Sequence, residues 1–249
     1  MTAKTWMARW RDRQLAGLLQ KFDVWFWTTI NKRRPFDYER FAYAMAAQEA
    51  AAYFVQHMRM TPNLHTKNAL LAHVLADIGT SGMWLEFGVA RGKDIRLIAS
   101  ATQQSVYGFD SFQGLPEDWT HFQRKGRFST DGLTPAQLPT NVQLVKGLFE
   151  ATLPAFLQQH QDPVAFLHID SDLYSSADFV LRSLVSRLQP GCIILFDDFL
   201  NYPGWQFGEA KAWHELVATH NIGFEHVGFA SEHHSIAVKI LVNPGLNAH

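Results

Sequence analysis

The sequence predicts an α/β protein built around a mostly parallel, seven-stranded sheet, with extra helices before it and an antiparallel pair of strands at its end. Three observations carry this prediction. Short apolar runs of strand length alternate with helical patterns, most of those runs are too continuously apolar to be half-exposed, and the last two are only about six residues apart.

Residues 1–60 read as a helical extension and 61–249 as the main domain. In the extension Leu15, Leu18, Leu19, Phe22, Trp25 and Phe26 recur at three- and four-residue spacing, the stripe of an amphipathic helix over 15–26; a second helix is expected over 37–58. The segment 65–78 reads as a third helix, stopped by Gly79. Strands are then expected at 83–89, 105–110, 141–146, 164–170, 192–197, 224–229 and 236–242. Helical patterns at 92–103, 148–160 and 175–188 lie between the first five. In the last of these, Val180, Leu181, Leu184, Val185 and Leu188 form a buried stripe, Ser175 and Asp178 fit a capping box, and Pro190-Gly191 ends the unit. The final two strands should pair as a hairpin across ASEHHS. The connection over 111–140 far exceeds the usual ~2–6 residues of a strand-to-helix loop. It carries Trp119, Phe122 and Phe128, as a lid or substrate loop would.

A chain of 249 residues that is 47% hydrophobic buries a substantial core. Its net charge of −1 gives no global basic field for nucleic acid. Charge is uneven, however: residues 1–34 hold eight Lys and Arg against Asp12 and Asp23, leaving the rest at −7. This basic segment carries Trp6, Trp10, Trp25 and Trp27; covering a partner copy is preferred for it over lying on an anionic membrane. Cys192 is the sole cysteine, so no disulfide forms within the chain. There is no secretory signal pattern and no apolar stretch of the ~18 residues a membrane span needs, which leaves a cytoplasmic protein as the expectation.

In such a sheet, residues that end consecutive strands become neighbours, and ligands collect there. The first strand ends in LEFGVARG, where Gly88 and Gly92 allow a tight turn and close approach, Glu86 stands at the strand end, and the next helix offers free NH groups. The second strand ends at Asp110, placed to accept hydrogen bonds from ribose hydroxyls. The spacing E-x-G-x-x-x-G lacks the glycine run that cradles a pyrophosphate, and so points to S-adenosylmethionine, with Gly147 either opening space beside the adenine or serving as a plain turn glycine. LHIDSDLYSS and GCIILFDDF end two further strands in carboxylates. Asp170, Asp197 and Asp198 offer hard oxygen donors suited to Mg²⁺, and Asp172 is the candidate base for a substrate hydroxyl. Without a cation, one of them would have to take up a proton or find a basic partner, for which Lys211 and Arg91 are candidates. His168 reads as a core histidine, and His233 and His234 as residues of a surface turn.

In order, LEFGVARG, VYGFDSFQGLPEDW, VKGLFEATLP, LHIDSDLYSS and FDDFLNYPGWQFGEAKAW resemble the macrocin O-methyltransferase family over roughly residues 60–240. The resemblance implies a class I, Rossmann-like methyltransferase fold, S-adenosylmethionine and Mg²⁺ as cofactors, a sugar or glycosylated small molecule as acceptor, and a homo-oligomer. It matches Asp170, Asp197 and Asp198 to the metal ligands, Asp172 to the base, and Glu86, Gly88 and Asp110 to the cofactor site. Tyr202 and Trp205 are expected at the substrate, Trp205 offering an aromatic face to a sugar ring. Ser171 and Phe199 depart from the family's usual glycine and tyrosine. Two competing readings are a glycosyltransferase holding a nucleotide-sugar through D-x-D, and a silent domain that uses this fold only for binding.

Overall fold

The computed structural model describes residue 21 and residues 38–120 and 122–247. The chain divides into two compact units, residues 1–45 and 46–249. Apart from Lys21, the expected helix at 15–26 and the basic segment 1–34 lie outside the described residues. Helix α1 spans Tyr38–His57 and helix α2 Lys67–Ala76. The sheet then runs through β1 (Met83–Phe87), β2 (Val106–Asp110), β3 (Val142–Lys146), β4 (Val164–Ile169), β5 (Leu188–Phe196), β6 (Gly223–Phe229) and β7 (Ile236–Val242). Helices α3 (Lys93–Ser100), α4 (Phe149–Gln159), α5 (Tyr174–Leu184) and α6 (Glu209–His220) connect the strands. No helix among the described residues is long and apolar enough to cross a membrane.

Strand order is β3-β2-β1-β4-β5-β7-β6, parallel except for the β5–β7 and β6–β7 pairs. Every residue of β1 and of β4 is buried, as expected for central strands covered on both faces. One apolar layer packs Leu85, Phe87, Val180, Leu181 and Trp213 on one side of the sheet; the other joins Leu70, Leu71, Ile95, Phe166 and Leu195. The chain leaves β1 toward β2 on one side and returns to β4 on the other. The carboxyl ends of β1 and β4 therefore flank the crevice where this topology binds ligands.

Local detail departs from expectation in two places. Ser175 does not cap α5: the N-cap is Leu173, with no side-chain cap bond, and the Ser175 hydroxyl instead donates to Glu117 in the 111–140 connection at 2.5 Å. Pro190-Gly191 does not precede the fifth strand but lies within it, near a register irregularity in the pairing with β4. Long-range pairing thus outweighs the local turn signal.

Within unit 46–249, Tyr53 of α1 stands against the sheet end, its hydroxyl 3.2 Å from His214 Nε2 and 3.1 Å from His226 Nε2. Burial, with His57 and His214 adding to it, holds the His226 imidazole down at about 4. Its unfolded value is near 6.5, so between those values only the unfolded chain takes the proton. Stability should therefore fall as pH drops from about 6.5 to about 4, and His226→Gln should flatten that part of a denaturant-midpoint against pH profile.

Candidate active site

The site is assembled by hydrogen bonds that continue each strand past its last residue. Gly88 NH donates to Phe109 O, Asp170 NH to Phe87 O and Asp197 NH to Ile169 O, so the ends of β1, β4 and β5 stay in register as they leave the sheet. Gly88 has φ +97°, and a Cβ there would lie 1.8 Å from the Asp170 carbonyl oxygen. Only glycine permits this approach, which sets Asp170 against the β1 turn.

A cavity of about 840 Å³ opens over these ends. Glu86, Gly88, Asp110 and Gly147 line it together with the four aspartates 170, 172, 197 and 198 and with Trp119, Phe128, His233 and His234. Gly92, expected beside the cofactor, instead adopts a left-handed conformation as the N-cap of α3, against Pro135 and Arg96. Asp110 lines the cavity, but its oxygens are engaged by the chain itself. Oδ2 accepts from the amides of Val89 (2.9 Å) and Ala90 (2.6 Å), and Oδ1 from that of Phe112 (2.6 Å), bracing the glycine turn. Glu86 is buried, with Oε1 2.9 Å from His168 Nδ1 across the β1–β4 pair, while its Oε2 has no partner.

The carboxylates are compensated by Lys67, not by Lys211 or Arg91. Lys67 Nζ lies 2.7 Å from Asp94 Oδ2, 3.0 Å from Asp170 Oδ2 and 2.6 Å from Asp197 Oδ1. Lys211 pairs with Glu215 and lies over the Tyr174 ring. Burial disfavours the Lys67 ammonium, but Asp170, Asp197 and Asp94 outweigh it and push its pKa up. Asp197 also accepts from Ser235 Oγ at 3.1 Å, and Lys67 and His168 hold its pKa down against the effect of burial. The structure therefore groups the donors differently from the expected Asp170, Asp197 and Asp198. The oxygens that lie within 4.8 Å of one another belong to Asp170, Asp172 and Asp198. Burial pushes Asp172 up to about 7, with the Asp170 charge adding to it, and raises Asp170 and Asp198 as well. His168 is fully buried, and Asp197 and Glu86 outweigh that burial to bring it up to about 10.

Glu209, in the first turn of α6, is also completely buried. Its Oε1 accepts from Ser171 NH and its Oε2 from Asp198 NH, both at 3.2 Å, tying the two aspartate loops together. Ser171 Oγ reaches the same carboxylate at 3.5 Å, which gives the serine in D-S-D a partner.

Tyr202 and Trp205, expected at the substrate, are not among the residues that line the cavity. The Trp205 ring packs against Tyr53 in the core, and Tyr202 is buried with its hydroxyl donating to Asp198 O. Tyr202 instead backs two rings that do line the cavity, Trp119 at 5.7 Å and His234 at 5.3 Å between centroids. His233 and His234 lie in the β6–β7 turn as expected, half-buried, and line the cavity. The His234 carbonyl accepts from Phe199 and Leu200 NH, drawing the β6–β7 turn onto the aspartate loop. Of the residues the motifs did not reveal, Lys67 alone left a sign: a cation in the first turn of a helix opposes the macrodipole and needs a reason.

The parallel sheet with helices on both faces and a strand-end cavity is a Rossmann-like α/β architecture. Residues 85–199 match the family model described as a methyltransferase domain. The chain is 30% identical over 153 residues to the 8-demethyl-8-(2,3-dimethoxy-alpha-L-rhamnosyl)-tetracenomycin-C 4'-O-methyltransferase of Streptomyces olivaceus, covering 51% of this chain and 56% of that one. It is 28% identical over 154 residues to the demethyldecarbamoylnovobiocin O-methyltransferase of Streptomyces niveus, covering 53% and 55%. The chain thus spans about half the length of these curated relatives. Among solved structures, the O-methyltransferase NovP superposes with a TM-score of 0.56 at 22% identity, over 72% of this chain and 79% of that one.

Gly88→Ala should destabilise the protein by roughly 2–4 kcal/mol, since both the left-handed backbone and the Asp170 carbonyl oppose a Cβ. Urea denaturation measures this, and unchanged stability would remove the close approach from the account of the site.

Proposed function

We propose that this chain is an S-adenosylmethionine-dependent O-methyltransferase of the macrocin type, acting with Mg²⁺ on a hydroxyl of a sugar or glycosylated small molecule. One observation carries the reading: a single cavity joins the Glu86–Gly88 turn to the oxygens of Asp170, Asp172 and Asp198. The relatives' names support the acceptor class. Residues 61–249 would form the catalytic domain of a cytoplasmic homo-oligomer, with residues 1–60 as its helical extension.

The residues present fit both groups. Glu86 Oε2, buried and without a partner at the cavity wall, suits the ammonium of the methionine part, and Gly88 and Gly147 keep the adjoining wall free of side chains. Seven carboxylates (Glu86, Asp94, Asp170, Asp172, Asp197, Asp198 and Glu209) gather at this edge; Lys67 and His168 pair with Asp94, Asp170, Asp197 and Glu86, and the ion pairs of the described residues bring no cation to Asp172, Asp198 or Glu209, which suits a further cation. We assign that cation to Asp170 and Asp198, with Asp197 turned toward Lys67. When bound, S-adenosylmethionine supplies the methyl group and the divalent ion supplies positive charge at the acceptor oxygen. Asp172, beside both donors and raised to about 7, takes the acceptor's proton near neutral pH. Trp119, Phe128 and His234 give the acceptor end of the cavity apolar faces with one polar atom, His234 Nδ1, that has no partner.

Calorimetry tests the assignment. Asp198→Asn should weaken Mg²⁺ binding at least about tenfold while leaving affinity for S-adenosylhomocysteine within about twofold. A protein that does not bind S-adenosylhomocysteine would refute the methyltransferase reading. Mg²⁺ affinity should also depend on pH. Burial raises Asp170, Asp172 and Asp198 together, so at low pH an arriving ion must displace their protons and affinity should rise with pH. A flat profile would take these three carboxylates out of the ion's surroundings.

A further inference from the structure

Two sets of donor atoms share Asp170 at this edge. The donors of Asp94, His168 and Asp170 lie within 4.8 Å of one another, and so do those of Asp170, Asp172 and Asp198. The first set is not open to an ion from solution. The Lys67 ammonium bonds Asp94 and Asp170 at 2.7 and 3.0 Å and extends to Asp197 at 2.6 Å. An ammonium carries three donors, and each meets a carboxylate. The ion pairs of the described residues bring no cation to Asp172 or Asp198.

We propose that Lys67 is a resident cation of the active site. Its ammonium fills the Asp94–Asp170–Asp197 half, directs the divalent ion to the Asp170–Asp198 half, and keeps that ion's affinity low enough for exchange. This inference rests on the divalent-metal reading above. The physical argument is competition for shared charge. Asp170 Oδ2 is committed to Lys67, so an arriving ion meets a carboxylate already half neutralised, with a fixed positive charge behind it. Asp197 has its Oδ1 between Lys67 and Ser235 and is drawn away in the same manner. Lys67 has little freedom to withdraw. It follows the Thr66 N-cap of α2, whose hydroxyl accepts from Ala69 NH, and its side chain is only 12% exposed.

The test is Mn²⁺ binding, read by the electron paramagnetic resonance of the free ion at fixed pH and without substrate. In Lys67→Met the apparent Kd should fall about tenfold or more, because a fixed positive charge has left the ion's surroundings. Metal-free Lys67→Met should also melt below wild type and gain more from Mn²⁺. Should Lys67→Met not fold, Lys67→Met/Asp94→Asn removes one charge of each sign and should still bind Mn²⁺ more tightly than wild type. If wild type takes up no Mn²⁺, or Asp198→Asn binds it as wild type does, the metal reading falls and the proposal with it. If Asp198→Asn loses the ion but the folded lysine variant binds with wild-type or weaker affinity, the proposal alone is overturned.

Discussion

The carboxyl edge of the sheet depends on the Lys67 ammonium lying among Asp94, Asp170 and Asp197. Like charges gathered in a buried site cannot all remain ionised without compensation, and removing the partner of a buried ion costs more than the pair contributes. Here the compensating charge comes from α2, outside the alternating strand–helix core, and reaches the ends of β4 and β5 and the start of α3. The helix before the sheet is therefore part of the site's electrostatics.

Around that cation the chain uses backbone groups to fix its acids. Asp110 spends its oxygens on the amides of Val89, Ala90 and Phe112, and Glu209 spends its own on Ser171 and Asp198. Gly88 complements them by removing a side chain where Asp170 must pass. A carboxylate bonded to amides and a glycine pressed against a carbonyl both act without moving parts. They hold the strand ends at set distances, which a site for charged ligands needs before any ligand arrives.

Much of the fold was legible because its signals are local. The mainly apolar runs at 164–169 and 83–87 have the length and composition of central strands, and the short ASEHHS interval that of a link within an antiparallel pair. Signals failed where distant partners outweighed near ones. Ser175 has the spacing of a cap but bonds to Glu117, 58 residues away, and Pro190-Gly191 is carried into β5 by pairing with its neighbours. Trp205 has the composition of a sugar platform, yet it is buried with its ring edge-to-face with Tyr53.

The sequence by itself determined which acids stand at the strand ends, because a strand's last residue is set by where its apolar run stops. It also marked Gly88 as a point of close backbone approach, expected toward a ligand; the structure presses that glycine against the Asp170 carbonyl. Only the tertiary structure decided how the acids divide: Asp197 to Lys67, Asp110 to the glycine turn, and Asp170, Asp172 and Asp198 to one another. Only the tertiary structure brought Trp119 and His234 to the cavity and withdrew Trp205 from it. The reason is the reach of each effect. Apolar periodicity acts over a few residues of chain, whereas charge compensation and ring packing act through space between residues that no spacing rule relates.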